Sequence, residues 1–420
     1  MILFYLLVLL MPFLRPPFLS RAIPPEVAFK VVGLVCVPYA LYHIASRGGL
    51  PPYFRTWQAR LFVVLYVIAA LSNLDNILRW HFSSPYFLSL SSFLLLLFIG
   101  LSVVDSIPKL RWVLFAANVG VALGSLRVIE EWLQTGERAG IMVGDSNYFA
   151  TSAVLILPVG FLMMLHSEKR WERLVYGGCA AVSLFGVTLC ASRGGFLALA
   201  AACLFLVGRS RQPVRNLVLL SVVSLPLLLL LPVSPLWRFL RRGGQEIRSE
   251  HTHMLAWGAA VRMIETHPLY GVGLGNFQWE MTFYYTGDPN DASYRDFRSI
   301  AHNSYLEVAA ELGLPALGVF AGILFSTFGT LERVRKRARR AGWKFSYEVA
   351  LGLQAGLVGY MVGACFLSAE YQKLFWLVVM LSMCLPHVLG VRRAAQHAKP
   401  ASSLAPNLAR VQATMGEGAQ

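Results

Sequence analysis

Apolar runs of about twenty residues, broken by short polar connections, fill most of this chain. A run of ~20 apolar residues is the length that crosses ~30 Å of hydrocarbon as a helix. By that rule the spans fall at roughly 2–19, 27–45, 57–74, 86–104, 112–133, 146–165, 173–192, 194–208, 215–232, 304–330, 347–367 and 373–390. The first is interrupted by Arg15, Pro16 and Pro17. The pattern predicts an all-α polytopic membrane protein of about twelve transmembrane helices. It divides into helices 1–9 over 1–232, a long polar loop over 233–303, helices 10–12 over 304–393, and a tail over 394–420 rich in Ala, Ser, Pro and Gln that reads as disordered.

The long loop has local order of its own. Ser249 is a suitable N-cap for a helix through EHTHMLAWGAAVRMIETH, and Pro268 follows its end. Met254, Trp257, Val261 and Ile264 share one face of that helix, which is expected to rest on the membrane or on other helices; Arg262 lies off it. GVGLGNF (Gly271 to Phe277) resembles a dinucleotide fingerprint but lacks a strand–helix–strand setting, so it reads as a tight turn. Met281 to Phe297 mixes aromatics with Asp, Gly and Pro and reads as irregular, a lid or sugar-binding surface. Ser304 with Glu307 fits a capping box and restarts the helices.

Composition agrees with a membrane protein. Of 420 residues 56% are hydrophobic and 14% charged, against about a quarter charged in a soluble protein. The formal charge of +15 is accounted for by basic connections on one side of a bilayer rather than by nucleic acid. With the N-terminus inside, the inside loops carry Arg47, Arg55, Arg60, Lys109, Arg111, Lys169, Arg170, Arg173, Arg209, Arg211 and Arg215. The run Glu332 to Arg340 and the tail with Arg392, Arg393 and Lys399 fall inside too, as an anchor on anionic lipid. Arg79 and Arg138 stand alone on the other side, where the long loop also falls. The six Cys lie in apolar runs, which argues against a disulfide framework. The first run lacks a basic start and a small-residue cleavage site, and is read as a retained span.

A few side chains are out of keeping with greasy helices. His302 precedes a helix start, where the partial positive charge favours anions and a neutral imidazole suited to general base work; the bland alternative is a loop histidine that only hydrogen-bonds. Arg193, in CASRGGF, sits where one apolar run turns into the next, and a lone Arg there is costly unless it is paired, snorkels, or has a task. Arg262 is by default a solvated residue or a partner of Glu265. An Arg fork suits pyrophosphate because it donates two hydrogen bonds at once. Asp145 and Asn147 open a span on the same side, Asp145 as a cap or near the site. Glu370 and Lys373 share a short outer turn as an expected pair. His251 and His253 have no third ligand at sensible spacing, so no metal site is expected.

Three stretches together resemble the O-antigen ligase and polymerase family of bacterial envelope enzymes: SRGG at 192–195, AVRMIETHPLYGVGLGNF at 260–277 and HNSYLEVAAELGLPALG at 302–318. The resemblance implies a C-type glycosyltransferase in the bacterial inner membrane, without cofactor or metal, with both termini cytoplasmic and a periplasmic active site. It implies a donor glycan on undecaprenyl pyrophosphate and, for a ligase, lipid A–core oligosaccharide as acceptor. Arg193, Arg262 and His302 match the family's functional positions. The size resembles the ligases; polymerases and protein O-oligosaccharyltransferases share the signature. A transporter of polyisoprenyl glycans is the non-enzymatic alternative, though no internal repeat is visible. The expected partners are the donor, the acceptor and membrane lipid, with no nucleic acid, acting as a monomer.

Overall fold

The computed structural model describes residues 1–13, 25–74, 80–140, 145–215, 218, 244–284 and 299–397. Within them the chain is a bundle of helices with no strand. The helices are α1 (Ile2–Leu10), α2 (Pro25–Ser46), α3 (Trp57–Leu74), α4 (Trp80–Val103), α5 (Ile107–Thr135), α6 (Ser146–His166), α7 (Arg170–Leu189), α8 (Arg193–Gly208), α9 (Gly244–Thr266), α10 (Ser304–Arg340), α11 (Lys344–Gly363) and α12 (Lys373–His397). Nearly all of the expected span 215–232, the tail beyond His397 and most of the segment 281–297 lie outside the described residues; residues 394–397 of the expected tail continue α12. Among the described residues four stretches are long and apolar enough to cross a membrane: Pro85–Val103, Ile107–Thr135, Ser146–His166 and Ser304–Arg340. Val31–Ser46, Trp57–Ser72, Arg193–Gly208 and Lys373–Leu389 are shorter apolar stretches.

α6 and α11 pack along one another at the centre. Their closeness depends on missing side chains: a Cβ on Gly356 would stand 2.1 Å from the Leu155 carbonyl oxygen, and one on Gly352 2.8 Å from the Val159 Cα. Small residues that let backbones meet are the usual device where lipid removes any hydrophobic drive between helices. α12 is buried almost throughout from Leu374 to Leu389, with Phe375 and Trp376 inside a ring cluster with Phe62, Phe93, Phe320 and Tyr360.

At one end of the bundle the basic connections gather and meet acids. Asp105 accepts a 2.7 Å hydrogen bond from Lys109 and another from Arg47. Burial pushes its carboxyl up, but those two cations outweigh burial and hold it below the ordinary range. Arg111 lies 3.8 Å from Glu172, Arg209 3.5 Å from Glu332, and Arg335 2.8 Å from Glu332. A cleft of about 670 Å³ opens here between the α4–α5, α6–α7 and α10–α11 turns, walled by Trp112, Trp171 and Phe345. The run Glu332 to Arg340 is the last part of α10 rather than a free loop.

The helix in the long loop begins earlier than the Ser249 cap predicts, at Gly244. Its packed face also differs from the expected one. Ala256, Ala259, Ala260 and Met263 are fully buried, whereas Met254 is 69% and Val261 44% exposed. Helical spacing located an apolar stripe, but the neighbours are Ala301, Ala310, Phe277 and Met281, and alanine lets α9 sit closest to them. Of the four expected residues, Met254 and Val261 are left outside, while Ile264 packs at the edge of this cluster and Trp257 donates to the Ala301 carbonyl.

Candidate functional site

Three chain reversals meet at the other end of the bundle, each fixed by local hydrogen bonds. The first closes α7 onto α8. Ala191 has φ 47°, and Ser192 caps α8 by accepting from the Gly195 N–H at 3.0 Å. Arg193 is therefore the first residue of α8, and it is half-buried. The turn is braced by Arg138, whose Nε donates to the Cys190 carbonyl at 2.9 Å and whose Nη2 donates to Asn147 Oδ1 at 2.7 Å. Sequence reading registers Arg138 only as an isolated basic residue. Its function as a strut depends on a contact 52 residues away.

The second reversal starts α6. Asp145 caps it, its Oδ1 accepting from the Tyr148 N–H at 2.7 Å. The capping reading of Asp145 thus describes its geometry, and its charge also reaches His302. Asn147, the second residue of α6, accepts from Arg138.

The third starts α10. Asn303, not Ser304, is the N-cap: its Oδ1 accepts from the N–H groups of Tyr305 and Leu306 at 3.0 and 3.1 Å. The capping-box reading is corrected accordingly. Ser304 instead fastens the α11–α12 loop, donating to the Leu367 carbonyl at 2.8 Å and accepting from the Ala369 N–H at 2.6 Å. Glu307 reaches back to the Ala301 N–H at 3.2 Å and also accepts from the Ser368 hydroxyl. Both residues point into a neighbouring loop that local pattern does not contain.

His302 is held between these anchors with φ 50°. A non-glycine residue in the left-handed region costs on the order of 1 kcal/mol and persists where its surroundings over-determine it. Both such residues among those described, Ala191 and His302, lie at this end of the molecule. The ring of His302 stacks on that of His253 from α9, centroids 4.5 Å apart and planes 8° apart. Burial holds His302 below its ordinary value, and Asp145 opposes this in part. The ring thus holds its proton less tightly than a free imidazole; the cause found is desolvation, where the sequence suggested the helix terminus.

Glu370 lies in the loop that Ser304 fastens. It is 6% exposed, and neither carboxylate oxygen has a hydrogen-bond partner. Burial, then the nearby Glu307, pushes it well above the usual carboxylate range. Its expected pairing with Lys373, the first residue of α12, finds no hydrogen bond at the Glu370 carboxylate. Among the described residues no three His, Cys, Asp or Glu side chains gather to hold a metal ion.

The glycine turn clamps the long loop against α10. Gly271, Gly273 and Gly275 have φ 66°, 103° and 71°. Val272 and Gly273 donate to the carbonyls of Ala310 and Glu311 at 2.9 Å, and the Phe277 N–H donates to Glu311 Oε1 at 3.2 Å. The tight-turn reading describes this stretch. Arg262 stands outside the gathering. It is nine residues beyond His253 on α9, ~13 Å along the axis and half a turn round, and it is exposed. The structure therefore brings together His302, Asp145, Asn147, the Arg193 turn and the Glu370 loop, and adds His253 and Arg138.

Residues 178–321 match the model of a protein family described as O-antigen ligase. That segment contains Arg193, Arg262 and His302. No curated protein matches the chain.

Proposed function

We propose, with the match of residues 178–321 to the model of a family described as O-antigen ligase in support, that this protein is the ligase itself. It transfers O-antigen polysaccharide from undecaprenyl pyrophosphate to lipid A–core oligosaccharide at the periplasmic face of the inner membrane. The family supports an O-antigen ligase or polymerase type of function, acting on lipid-linked polysaccharide. The observation that carries the reading further is a half-buried His302, its proton affinity lowered by desolvation, held in a left-handed backbone conformation at the same end as the Arg193 turn.

In the proposed reaction the acceptor hydroxyl attacks the anomeric carbon as its proton passes to His302. The bond from that carbon to the pyrophosphate oxygen breaks, and its electron pair leaves with the pyrophosphate. Attack from the side opposite the leaving group inverts the anomeric centre. Arg193, at the N-terminus of α8, donates to the departing pyrophosphate together with the first N–H groups of that helix. Guanidinium groups supply there the positive charge that a metal ion supplies in other transfers. Arg262 is assigned as the second guanidinium on the resemblance, donating to the outer part of the donor from the exposed side of α9. Asp145 and Asn147 set the floor of the site. Glu370 and Lys373 are assigned to the substrate side of the α11–α12 loop.

The test is complementation of a strain lacking the gene, read as lipopolysaccharide on gels. Wild-type protein restores polysaccharide on the core. His302→Ala, at normal expression, leaves bare core. Arg193→Lys loses most transfer, because a point charge replaces a two-pronged donor, and Arg262→Lys loses less. Core carrying single repeats in the deletion strain would instead identify a polymerase, and full ligation by His302→Ala would remove the base.

A further inference from the structure

The stack between His253 and His302 joins two parts of the chain that family motifs treat separately. His253 comes from α9 in the long loop, and His302 from the turn before α10. The contact is held by a scaffold rather than by two surface side chains meeting. One turn beyond His253, the Trp257 Nε1–H donates to the Ala301 carbonyl at 2.9 Å, next to His302. Beneath it Ala256 and Ala260 pack with Ala301 and Ala310. The parallel arrangement, with planes 8° apart, presents one ring face to the other.

The charge states of such a pair are not equivalent. Two imidazolium rings at this distance repel. One imidazolium over one neutral ring gains attraction from the ring face. A base that must become imidazolium beside a helix N-terminus is opposed by the partial positive charge there. Something close by has to favour the charged form as it develops. Asp145 does so from α6, and His253 is in contact with the ring itself.

We propose that His253 is a positioning residue for the transfer reaction: its ring holds the His302 ring face-on and stabilises the imidazolium that forms there. This rests on reading His302 as the base. The charged group shown to act on the pair is Asp145, at the start of α6; His251, two residues before His253, lies on another side of α9.

The experiment uses the full chain reconstituted in lipid nanodiscs, with an undecaprenyl-pyrophosphate glycan as donor and lipid A–core as acceptor. His253→Ala lowers kcat by about tenfold or more, equivalent to the ring-face attraction lost, with KM little changed. His253→Phe, which keeps a neutral ring face, restores most of it. Wild-type kcat in His253→Ala, or Phe no better than Ala, overturns the proposal. A second measurement follows the ring signals of the two histidines by NMR as pH is lowered, in protein labelled at histidine. The pair takes up its protons in two steps more than about one pH unit apart; two independent titrations overturn the stack as an energetic unit. Wild-type protein inert on these substrates would instead sink the ligase reading, while the titration still decides the stack.

Discussion

At the scale of single residues, legibility depended on rarity. An Arg or a His amid apolar helices costs free energy unless it has a partner or a task, so Arg193 and His302 stand out in the sequence alone. His253 does not, because it lies in a polar loop where histidine is unremarkable; only the 4.5 Å stack singles it out. Arg138 was visible as a charge but not as a strut, since its partners, Asn147 and the Cys190 carbonyl, come from two other segments. The burial of His302 leads to a pH expectation. A base works in its neutral form, and burial lowers the pH at which His302 gains a proton. Transfer should hold steady from neutral pH down through about 6.5, the ordinary imidazole value, and fall only at more acid pH. A pH–rate profile of the reconstituted protein checks this; a loss that begins above about 7 would contradict a buried base.

At the scale of elements, periodicity found the helices and misjudged their ends and faces. α10 begins one residue earlier in its capping than the Ser304–Glu307 pattern implies, because Asn303 takes the cap and frees both residues for tertiary contacts. The inward face of α9 is built on Ala256, Ala259 and Ala260 with Met263, since alanine lets α9 approach α10 closely. α10 is itself interrupted at Gly313, φ 85° and ψ 170°, where the glycine turn docks. A Cβ at Gly313 would stand 2.4 Å from the Leu269 carbonyl carbon, so neither the backbone conformation nor the space admits one. Gly313→Ala is expected to destabilise the protein by about 1–3 kcal/mol or more, and to loosen the 268–277 turn. Thermal unfolding in detergent, with limited proteolysis of the long loop, measures both. An unchanged midpoint would mean that the interruption is not under constraint.

At the scale of the molecule, the basic connections and the candidate site lie at opposite ends of the same helices. α6 carries Asp145 at one end and His166, on the wall of the 670 Å³ cleft, at the other. Its 21 residues span ~30 Å, about one hydrocarbon core. If basic ends face the cytoplasm, the site faces outward. In a background without the native cysteines, a Cys at Tyr270 should then react with a membrane-impermeant maleimide in cells whose outer membrane is permeable. A Cys at Lys336 should react only after lysis. The reverse pattern would put the site on the wrong side for a periplasmic transfer.

The sequence by itself determined that the chain is helical and membrane-bound, that one polar loop interrupts it late, and that Arg193 and His302 are exceptional. These follow from hydrophobic length and from the cost of charge in hydrocarbon, both local properties of the chain. Tertiary structure alone decided which residue caps α10, which face of α9 is buried, and that His253, Asp145 and the Arg138-braced turn attend the two outliers. Those outcomes depend on contacts between segments tens to hundreds of residues apart, such as Tyr148 with Tyr371, and no pattern within a single segment encodes them.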